Sequence, residues 1–427
     1  MPDTKVTPSD VLKEKEPLVL FAYFEPVGAL HRFQPAGFPE VGHVIYKAPR
    51  ENGDIKNVCI VDSPASMANH LESLCMRGAH DVELVEELEG MPYLRCVTGD
   101  LNENGQLPFE KREVVVTSLT EGHRIASTYF LAGRTLDSDG KLAEAGVDST
   151  KPKKGKGKAN ASGSGKFEDK LVKEFGIELA GSPKAHPPAD KWWDVFKTIF
   201  RYDPNALVHG VLFPQWQIKI PRVLTAHLEA FGASRVDRSG VKFDRIGKTT
   251  SGQPIFAVDD TTAREIRATF ILDTALVQSF GRPQTPFQKG PTANEASEGP
   301  TEPTNGDASK HQSENQSQQQ NVLGLTDKQK EFLAALALWK IKKLCEKPFR
   351  FRSGCYLKCI KLANEQGKEV TIEVNIKNAI DQAGFQEPRV TDIFWPKGEL
   401  YRAGQEEEKE TTEADGEAIG SEDEEGE

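Results

Sequence analysis

Cysteine and long apolar runs are both scarce in this chain. Six cysteines are scattered over 427 residues, which excludes the dense disulfide framework of a small secreted protein. No apolar run approaches the roughly 20 residues that a membrane-spanning helix needs, and Met1–Lys5 lacks the apolar core of a signal peptide. We therefore expect a cytoplasmic protein with no membrane partner.

Recognisable metal and nucleotide motifs are missing as well. Cys355 and Cys359 are separated by three residues, and Cys345 lies ten positions before Cys355, which is not the paired spacing of structural zinc. Gly247-Lys248-Thr249 resembles the end of a P-loop. However, six residues separate Gly240 from Gly247 where the motif has four. The sequence therefore predicts no metal and no other cofactor.

The excess of acidic residues is confined to one end of the chain. The formal net charge is −11, and Gly404–Glu427 contains twelve acidic residues and one lysine, which is also −11. Met1–Ala403 is therefore neutral, since −11 minus −11 is zero. A neutral body can still present a locally basic groove to a nucleic acid, whereas we expect the acidic tail, residues 404–427, to be disordered.

Two low-complexity segments interrupt the rest of the chain. Lys151–Lys166 carries six lysines among glycine, serine and alanine, which predicts a flexible basic insertion. Arg282–Asn321 is rich in polar residues and nearly free of large apolar ones, which predicts a disordered insertion, residues 282–321. Strand and helix patterns resume after each segment, so we expect one body, residues 17–403, that carries both insertions.

The body has the pattern of an α+β protein with an open sheet and helices on one face. Ser63 and Thr326 are the clearest predicted helix N-caps, the latter in a capping box with Gln329. The predicted helices include 191–200, 223–231 and 327–345. The predicted strands are 18–24, 57–61, 207–213, 255–258, 269–277, 355–362 and 369–374, the last two forming a hairpin.

One proline-rich loop combines the side chains that an RNA-binding surface uses. The loop that follows a predicted buried strand contains His31, Arg32, Phe33, Gln34 and Phe38. Its two prolines restrict the backbone, and its glycine allows a turn that other residues resist. The guanidinium can bind a phosphate, and an aromatic ring can stack on an unpaired base. The alternative is an ordinary turn whose two phenylalanines pack into the core.

Two further segments are rich in arginine and lysine and are candidates for phosphate contacts. The first contains Arg222, Arg235, Arg238, Lys242 and Arg245. The second is Phe349–Gly354, where strand periodicity places Arg350 and Arg352 on one face and the two phenylalanines on the other. A solvated helix face for the first segment and a charged edge strand for the second are the simpler alternatives.

Two histidines raise the hypothesis of a ribonuclease. His31 adjoins Arg32, His123 adjoins Arg124, and two imidazoles can serve as general base and general acid. No spacing in the sequence specifies such a pair. Histidine beside arginine also suits phosphate binding, so His123 and Arg124 join the candidate RNA-binding residues.

Five motifs, in this order, resemble one known family. They are "RFQPAGFPEVG" with "VDSPASMANHLE", "SLTEGHRIASTYFL", "LVHGVLF", "IKIPRVLTAHLEAFGASRVDRSG", and "LAALALWKIKKL" followed by "FRFRSGCYL". In these motifs the chain resembles the backbone subunit of type I-G (formerly I-U) CRISPR Cascade, the Cas seven (Csb one) group of the RAMP superfamily. The resemblance extends over most of residues 17–400.

The resemblance implies a fold, a function and a set of partners. The fold is a ferredoxin-like (RRM-like) palm, and the function is non-catalytic binding of crRNA by copies that assemble head to tail along the guide. Other Cascade subunits, target DNA paired with the guide, and a recruited nuclease–helicase are the implied partners. A RAMP-type endoribonuclease that processes precursor crRNA is the first alternative. A protein-interaction module whose acidic tail binds a basic partner is the second.

Overall fold

The structure, a computed structural model, describes residues 4–37, 42–49, 55–78, 81–142, 165–177, 186–236, 259–283 and 322–401. Four candidate residues lie outside these ranges: Phe38, Arg238, Lys242 and Arg245. The predicted strand 255–258, the tail 404–427 and nearly all of both predicted insertions lie outside them as well. The expectations for these segments and for the single body stay predictions.

The largest sheet in the described residues has seven strands in the order β18-β19-β2-β15-β12-β4-β3, and each neighbouring pair is antiparallel. Its strands are β2 (Leu18–Pro26), β3 (Ile45–Pro49), β4 (Ile55–Asp62), β12 (Leu224–Phe231), β15 (Glu265–Leu272), β18 (Phe349–Arg352) and β19 (Cys355–Asn364). We call it the main sheet.

Strict alternation of side chains gives the main sheet a buried face and a more exposed one. Every second residue of β12 and of β15 is buried, and the residues between them are half-buried, as expected for strands with one face on a core. The main helix contacts with strands of the main sheet come from α2 (Pro64–Ser73), α6 (Pro204–His209) and α8 (Asp327–Glu346). The other helices pack on these helices, on one another or on strands outside the main sheet: α1 (Pro8–Val11), α3 (Thr128–Leu131), α4 (Phe167–Glu174), α5 (Trp192–Tyr202), α7 (Thr274–Ser279) and α9 (Ile376–Gln382). The mixed α+β class is confirmed.

A second sheet has four strands in the order β8-β7-β21-β9. They are β7 (Tyr93–Thr98), β8 (Glu113–Thr117), β9 (Arg134–Thr135) and β21 (Val390–Phe394), with β21 parallel to β7. Two-stranded ladders complete the described part: β1 (Thr4–Val6) with β20 (Val370–Ile372), β5 (Met76–Gly78) with β6 (Asp81–Leu84), β10 (Val211–Phe213) with β11 (Ile218–Ile220), β13 (Ser234–Val236) with β14 (Asp260–Thr262), and β16 (Gly281–Pro283) with β17 (Val322–Gly324).

The predicted helix starts at Ser63 and Thr326 are both confirmed. The Ser63 hydroxyl accepts a hydrogen bond from the Ser66 amide at 3.2 Å. Thr326 and Gln329 form a reciprocal capping box at the start of α8, which satisfies two otherwise unpaired backbone donors. Both caps depend on residues three positions apart, so the chain needs no distant partner to form them.

Several predicted elements are wrong. Residues 223–231 are not helical, because β12 pairs with β15 and β4 on its two sides. In the predicted strand 207–213, residues 207–209 belong to α6, which ends before Gly210 at φ +81°. The residues that follow Gly210 form β10, so the strand prediction is correct for them alone. Asp273 caps α7 inside the predicted strand 269–277. The predicted hairpin is reduced to one bridge between Ala363 and Glu369, since β20 instead pairs with β1.

Candidate nucleic-acid interface

Residues 31–37, the Arg32 loop, are held between two other parts of the fold. Phe33 exchanges backbone hydrogen bonds with Thr261 of β14, at 2.9 and 2.8 Å, and the Gln34 amide donates to the Gly354 carbonyl at 2.9 Å. The ring of Phe33 is buried in the core, with 2% exposure. Phe33 therefore anchors the loop, and its ring has no face to offer a base.

The same backbone pairing places the segments of Arg32 and Arg235 on the two sides of β14. Thr261 pairs with Phe33 on one side and with Arg235 of β13 on the other. Arg32 Nε lies 3.2 Å from an Asp260 carboxylate oxygen, and Arg235 Nε lies 3.0 Å from one of Asp259. The arginine side chains remain 62% and 51% exposed, whereas the aspartates are 11% and 5% exposed.

This arrangement positions two guanidinium groups toward solvent. Buried carboxylates hold their Nε edges, so the side chains lose less conformational freedom when they bind an anion. The two ion pairs also neutralise much of the local charge. Phosphate binding here would therefore depend on the planar donor geometry of arginine more than on a strong long-range field.

Arg352 lies at the same end of the main sheet but is held internally. Its guanidinium donates to the Val61 carbonyl at 2.6 Å and lies 2.9 Å from Asp62, which also contacts His70 Nε2 at 2.9 Å. Burial opposes ionisation of Asp62, but the His70 hydrogen bond and the Arg352 charge outweigh it, so the pKa of Asp62 is lowered. Since β18 and β4 are not neighbours in the sheet, these contacts show that the sheet curls.

Arg350 completes the group at this end. Its guanidinium lies 5.8 Å from the centre of the Tyr356 ring, and Tyr356 is 48% exposed. Phe351, the next residue, is buried against Phe24. The strand register shifts between Arg350 and Arg352, which pair with exposed Tyr356 and buried Cys355. The prediction that both arginines share one face is therefore wrong, because the irregularity breaks the strict alternation. His31 is exposed on the adjoining Arg32 loop.

Arg124 is buried and bound inside the protein. Its Nε and one terminal nitrogen donate to the two Glu72 oxygens at 2.7 and 2.8 Å, and another donates to the Gly210 carbonyl at 3.1 Å. Glu72 also accepts a hydrogen bond from the Asn205 amide at 2.6 Å, and Asn205 accepts one from the buried Lys340. Arg124 therefore serves a buried polar network, and its guanidinium does not face solvent.

Two other candidate RNA-binding residues, His123 and Arg222, lie on segments outside the Arg32 loop. His123 is exposed and lies 3.6 Å from Glu121. The charge of Arg222 contributes to lowering the pKa of buried His209, although desolvation of that imidazole is the larger cause. Eight residues of β12 separate Arg222 from Arg235, a path of roughly 25 Å.

The exposed face of the main sheet carries aromatic and basic side chains that sequence reasoning missed. We call Phe21, Tyr23, Phe231, Arg267 and Lys361 the open face. The Arg267 guanidinium lies 4.6 Å from the Phe21 ring centre and 4.4 Å from that of Phe231. The Lys361 amine lies 5.7 Å from the Tyr23 ring centre. Rings and cations on a sheet face suit contacts with bases and phosphates.

The residue pattern of β2 contained a signal for this face. Phe21 and Tyr23 are two positions apart in a strand and therefore point to the same side. Acidic residues share the surface: Arg267 lies 3.5 Å from Glu265, and the Tyr46 hydroxyl donates to Glu229 at 2.8 Å. The open face is consequently mixed in charge, and its aromatic surface is its distinguishing property.

Metal and membrane features are absent from the described ranges. No group of three or more histidine, cysteine, aspartate or glutamate side chains in the described residues is arranged to hold a metal ion. None of the helices in the described ranges combines the length and apolar character needed to cross a membrane.

The comparison with known proteins assigns the chain to a family. No curated protein matches it. The family described as CRISPR-associated protein GSU0053 (Cas_GSU0053) matches residues 18–235, which is just over half of the 427 residues. The match extends from the first residue of β2 to Arg235 and therefore includes the Arg32 loop. This chain belongs to the family of CRISPR-associated protein GSU0053.

Proposed function

We propose that this protein is a crRNA-binding backbone subunit of a type I-G CRISPR Cascade effector and that it acts in the cytoplasm. The observation that carries the proposal is the pair of exposed guanidinium groups, Arg32 and Arg235, on the two segments that flank β14. The strands β12 and β15, which adjoin β13 and β14 in the chain, carry part of the aromatic open face. The CRISPR-associated family supplies the biological setting. RNA is the partner that this combination of rings and guanidinium groups suits.

The strand order supports a ferredoxin-like (RRM-like) palm. Within the main sheet, β19-β2-β15-β12 are adjacent. Along the chain, β2 is the first of these four strands, β12 the second, β15 the third and β19 the fourth. Their order across the sheet is therefore 4-1-3-2. Helices lie between the first and second and between the third and fourth, while β12 and β15 pair directly. This order and these crossovers are those of the β-α-β-β-α-β arrangement.

The proposed grip is independent of base sequence. Arginines that contact phosphates fix the position of a strand without reading its bases, and aromatic rings stack on any base. Several copies would then bind one guide head to tail through heterologous contacts, beside other Cascade subunits. Target DNA would be recognised by pairing with the guide, and a recruited nuclease–helicase would cut it.

We also propose that the chain itself does not cleave RNA. His31 lies on the Arg32 loop beside β14, whereas His123 lies next to Glu121 on the segment that Arg124 attaches to Glu72. This separation gives no support to a general acid–base pair. His31→Ala with His123→Ala is expected to leave the pattern of bound RNA unchanged, and accumulation of uncut precursor would contradict the proposal.

Co-expression with a CRISPR array and the partner subunits tests RNA binding. The wild type is expected to purify as a large particle that carries one RNA of guide length. Arg32→Ala with Arg235→Ala is expected to lose much of that RNA. Arg282→Ala is the matched control, because Arg282 is also exposed but lies over the Trp193 ring at 5.4 Å.

A salt titration makes the test quantitative. Each phosphate contact contributes about 0.9 to the slope of log K against log salt for duplex DNA and about 0.7 for a single strand. The double variant should therefore lower the slope by about 1.4 with single-stranded RNA, while Arg282→Ala keeps it. An unchanged slope and affinity in the double variant would refute the assignment of these arginines. A wild type free of RNA beside its partners would refute the function.

A further inference from the structure

A basic cleft lies between the second sheet and helices α4 and α5, away from the Arg32 loop. It encloses about 910 Å³, within the usual range for small-molecule sites. Seven of its lining residues are basic or aromatic, and three are acidic. The basic and aromatic residues are Arg95, Phe109, Arg112, Lys170, Arg201, Tyr202 and Arg389, and the acidic residues are Asp137, Glu387 and Asp392. We refer to it as the basic cleft. It shares no residue with the proposed RNA interface.

One wall of the basic cleft holds two arginines against a single buried carboxylate. Arg95 Nε lies 2.7 Å from Asp392, and a terminal nitrogen of Arg112 lies 2.6 Å from the same carboxylate, which is 6% exposed. Glu83 is 3.7 Å from Arg95 but is half exposed, so water screens it more strongly. This wall therefore keeps positive charge that its buried partner does not balance.

The same two arginines support an exposed aromatic ring. The guanidinium carbons of Arg95 and Arg112 lie 5.8 and 5.4 Å from the centre of the Phe109 ring. Phe109 is nevertheless 68% exposed. Phe109 lines the cleft, and a ring supported by cations offers its remaining surface for stacking.

The opposite wall presents a lysine and an arginine. The Lys170 amine and the Arg201 guanidinium lie 5.2 and 5.1 Å from the centre of the buried Tyr202 ring. Arg201 lies 3.7 Å from Glu174. Within the described ranges no carboxylate oxygen lies within 4 Å of the Lys170 amine. Desolvation is the largest influence on the pKa of Lys170 and lowers it, while the Glu174 charge acts in the opposite sense.

We propose that the basic cleft binds one nucleotide, with its phosphate at Lys170 and Arg201 and its base stacked on Phe109. A cation pair and an exposed ring in one cavity match the two chemical parts of a nucleotide. An acidic peptide could bind to Lys170 and Arg201 through its carboxylates, but it has no base to stack on Phe109. The exposed ring therefore favours a nucleotide over an acidic peptide. The nucleotide is either free or the terminal residue of an RNA strand.

Titration calorimetry on the full chain tests the proposal with AMP, CMP, GMP and UMP, each compared with its nucleoside and with inorganic phosphate. One or more of the mononucleotides is expected to bind at least tenfold more tightly than its nucleoside and than inorganic phosphate. Lys170→Gln is expected to weaken that nucleotide about tenfold or more, since hydrogen bonds to charged groups are among the stronger ones. Lys173→Gln is the matched control, because Lys173 is exposed on the same helix and does not line the cleft.

A second variant separates stacking from charge. Phe109→Ser is expected to weaken the nucleotide about fivefold or more while leaving phosphate binding unchanged. Phe109 is mostly exposed, so this variant should unfold at the same temperature as the wild type. A 5′-phosphorylated RNA that competes better than the same RNA with a 5′-hydroxyl identifies a strand end as the source, and equal competition identifies a free nucleotide.

Three outcomes would overturn the nucleotide assignment. They are no binding of any mononucleotide at millimolar concentration, equal binding by Phe109→Ser, and tighter binding of a peptide with the sequence of residues 404–427 than of every mononucleotide. The proposal does not rest on the proposed crRNA function. Arg32→Ala with Arg235→Ala is expected to keep nucleotide binding in the cleft, so failure of one proposal is distinguishable from failure of the other.

Discussion

Replacing Asp203 by asparagine should make the protein more stable at alkaline pH. Asp203 is fully buried and caps α6 by accepting a hydrogen bond from the Ala206 amide at 3.3 Å. Burial raises the pKa of this carboxyl to about 7, and the nearby Glu72 charge adds to the effect. Asparagine has the same shape and also caps helices well, but it cannot ionise.

The expected magnitude follows from linkage between ionisation and folding. The folded pKa of about 7 exceeds the ordinary value of 3.8, so the folded state holds a proton that the unfolded state releases between those pH values. The free energy of unfolding therefore falls as pH rises through this window and stays reduced above it. At about 1.36 kcal/mol per pH unit, the loss is about 4 kcal/mol, of which roughly 3 kcal/mol falls between pH 5 and pH 8.

Urea unfolding at pH 5 and pH 8 measures the effect. Relative to the wild type, Asp203→Asn should gain roughly 3 kcal/mol more at pH 8 than at pH 5. Asp273→Asn is the matched control, because Asp273 caps α7 in the same way, accepting from the Leu276 amide at 2.8 Å, but is only half-buried. An equal pH dependence for wild type and Asp203→Asn would refute the reasoning.

Three further predictions concern other buried groups. Glu72→Gln leaves the Arg124 guanidinium buried without a counter-charge and should lower the free energy of unfolding by about 3–5 kcal/mol; an unchanged urea midpoint would contradict this. Thr326→Ala removes the hydroxyl of the α8 capping box and should cost about 1 kcal/mol, measured by thermal unfolding, with a cost near zero as the opposing result. A hydrogen bond from a neighbouring thiol lowers the pKa of Cys359, whereas burial raises that of Cys75 to about 11. Iodoacetamide at pH 7.5 should therefore label Cys359 before Cys75, and the reverse order in peptide mass mapping would contradict the prediction.

Features that depend on neighbouring residues could be predicted from the sequence. The caps at Ser63 and Thr326 form between residues three positions apart, and the strand β2 follows from a seven-residue apolar run, Leu18–Phe24. These are local consequences of side-chain period and short-range hydrogen bonding.

The identity of β12 required the tertiary structure. Its apolar residues are compatible with both a helix and a strand, and pairing with β4 and β15 on either side decided for the strand by satisfying its backbone groups. Propensity within one segment cannot include hydrogen bonds from strands that are distant in the chain. The same limit explains why the open face was missed, since Phe21 and Phe231 meet only through Arg267 of β15.

The sequence alone determined which residue types are available for RNA binding, and the tertiary structure decided which of them face solvent. Arg32 and Arg124 each follow a histidine and look alike in the sequence. Arg32 has a partner that leaves most of its side chain exposed, whereas Glu72, 52 residues away in the chain, keeps Arg124 buried. Exposure and charge pairing depend on contacts between distant segments, and those contacts form only when the sheets and helices pack.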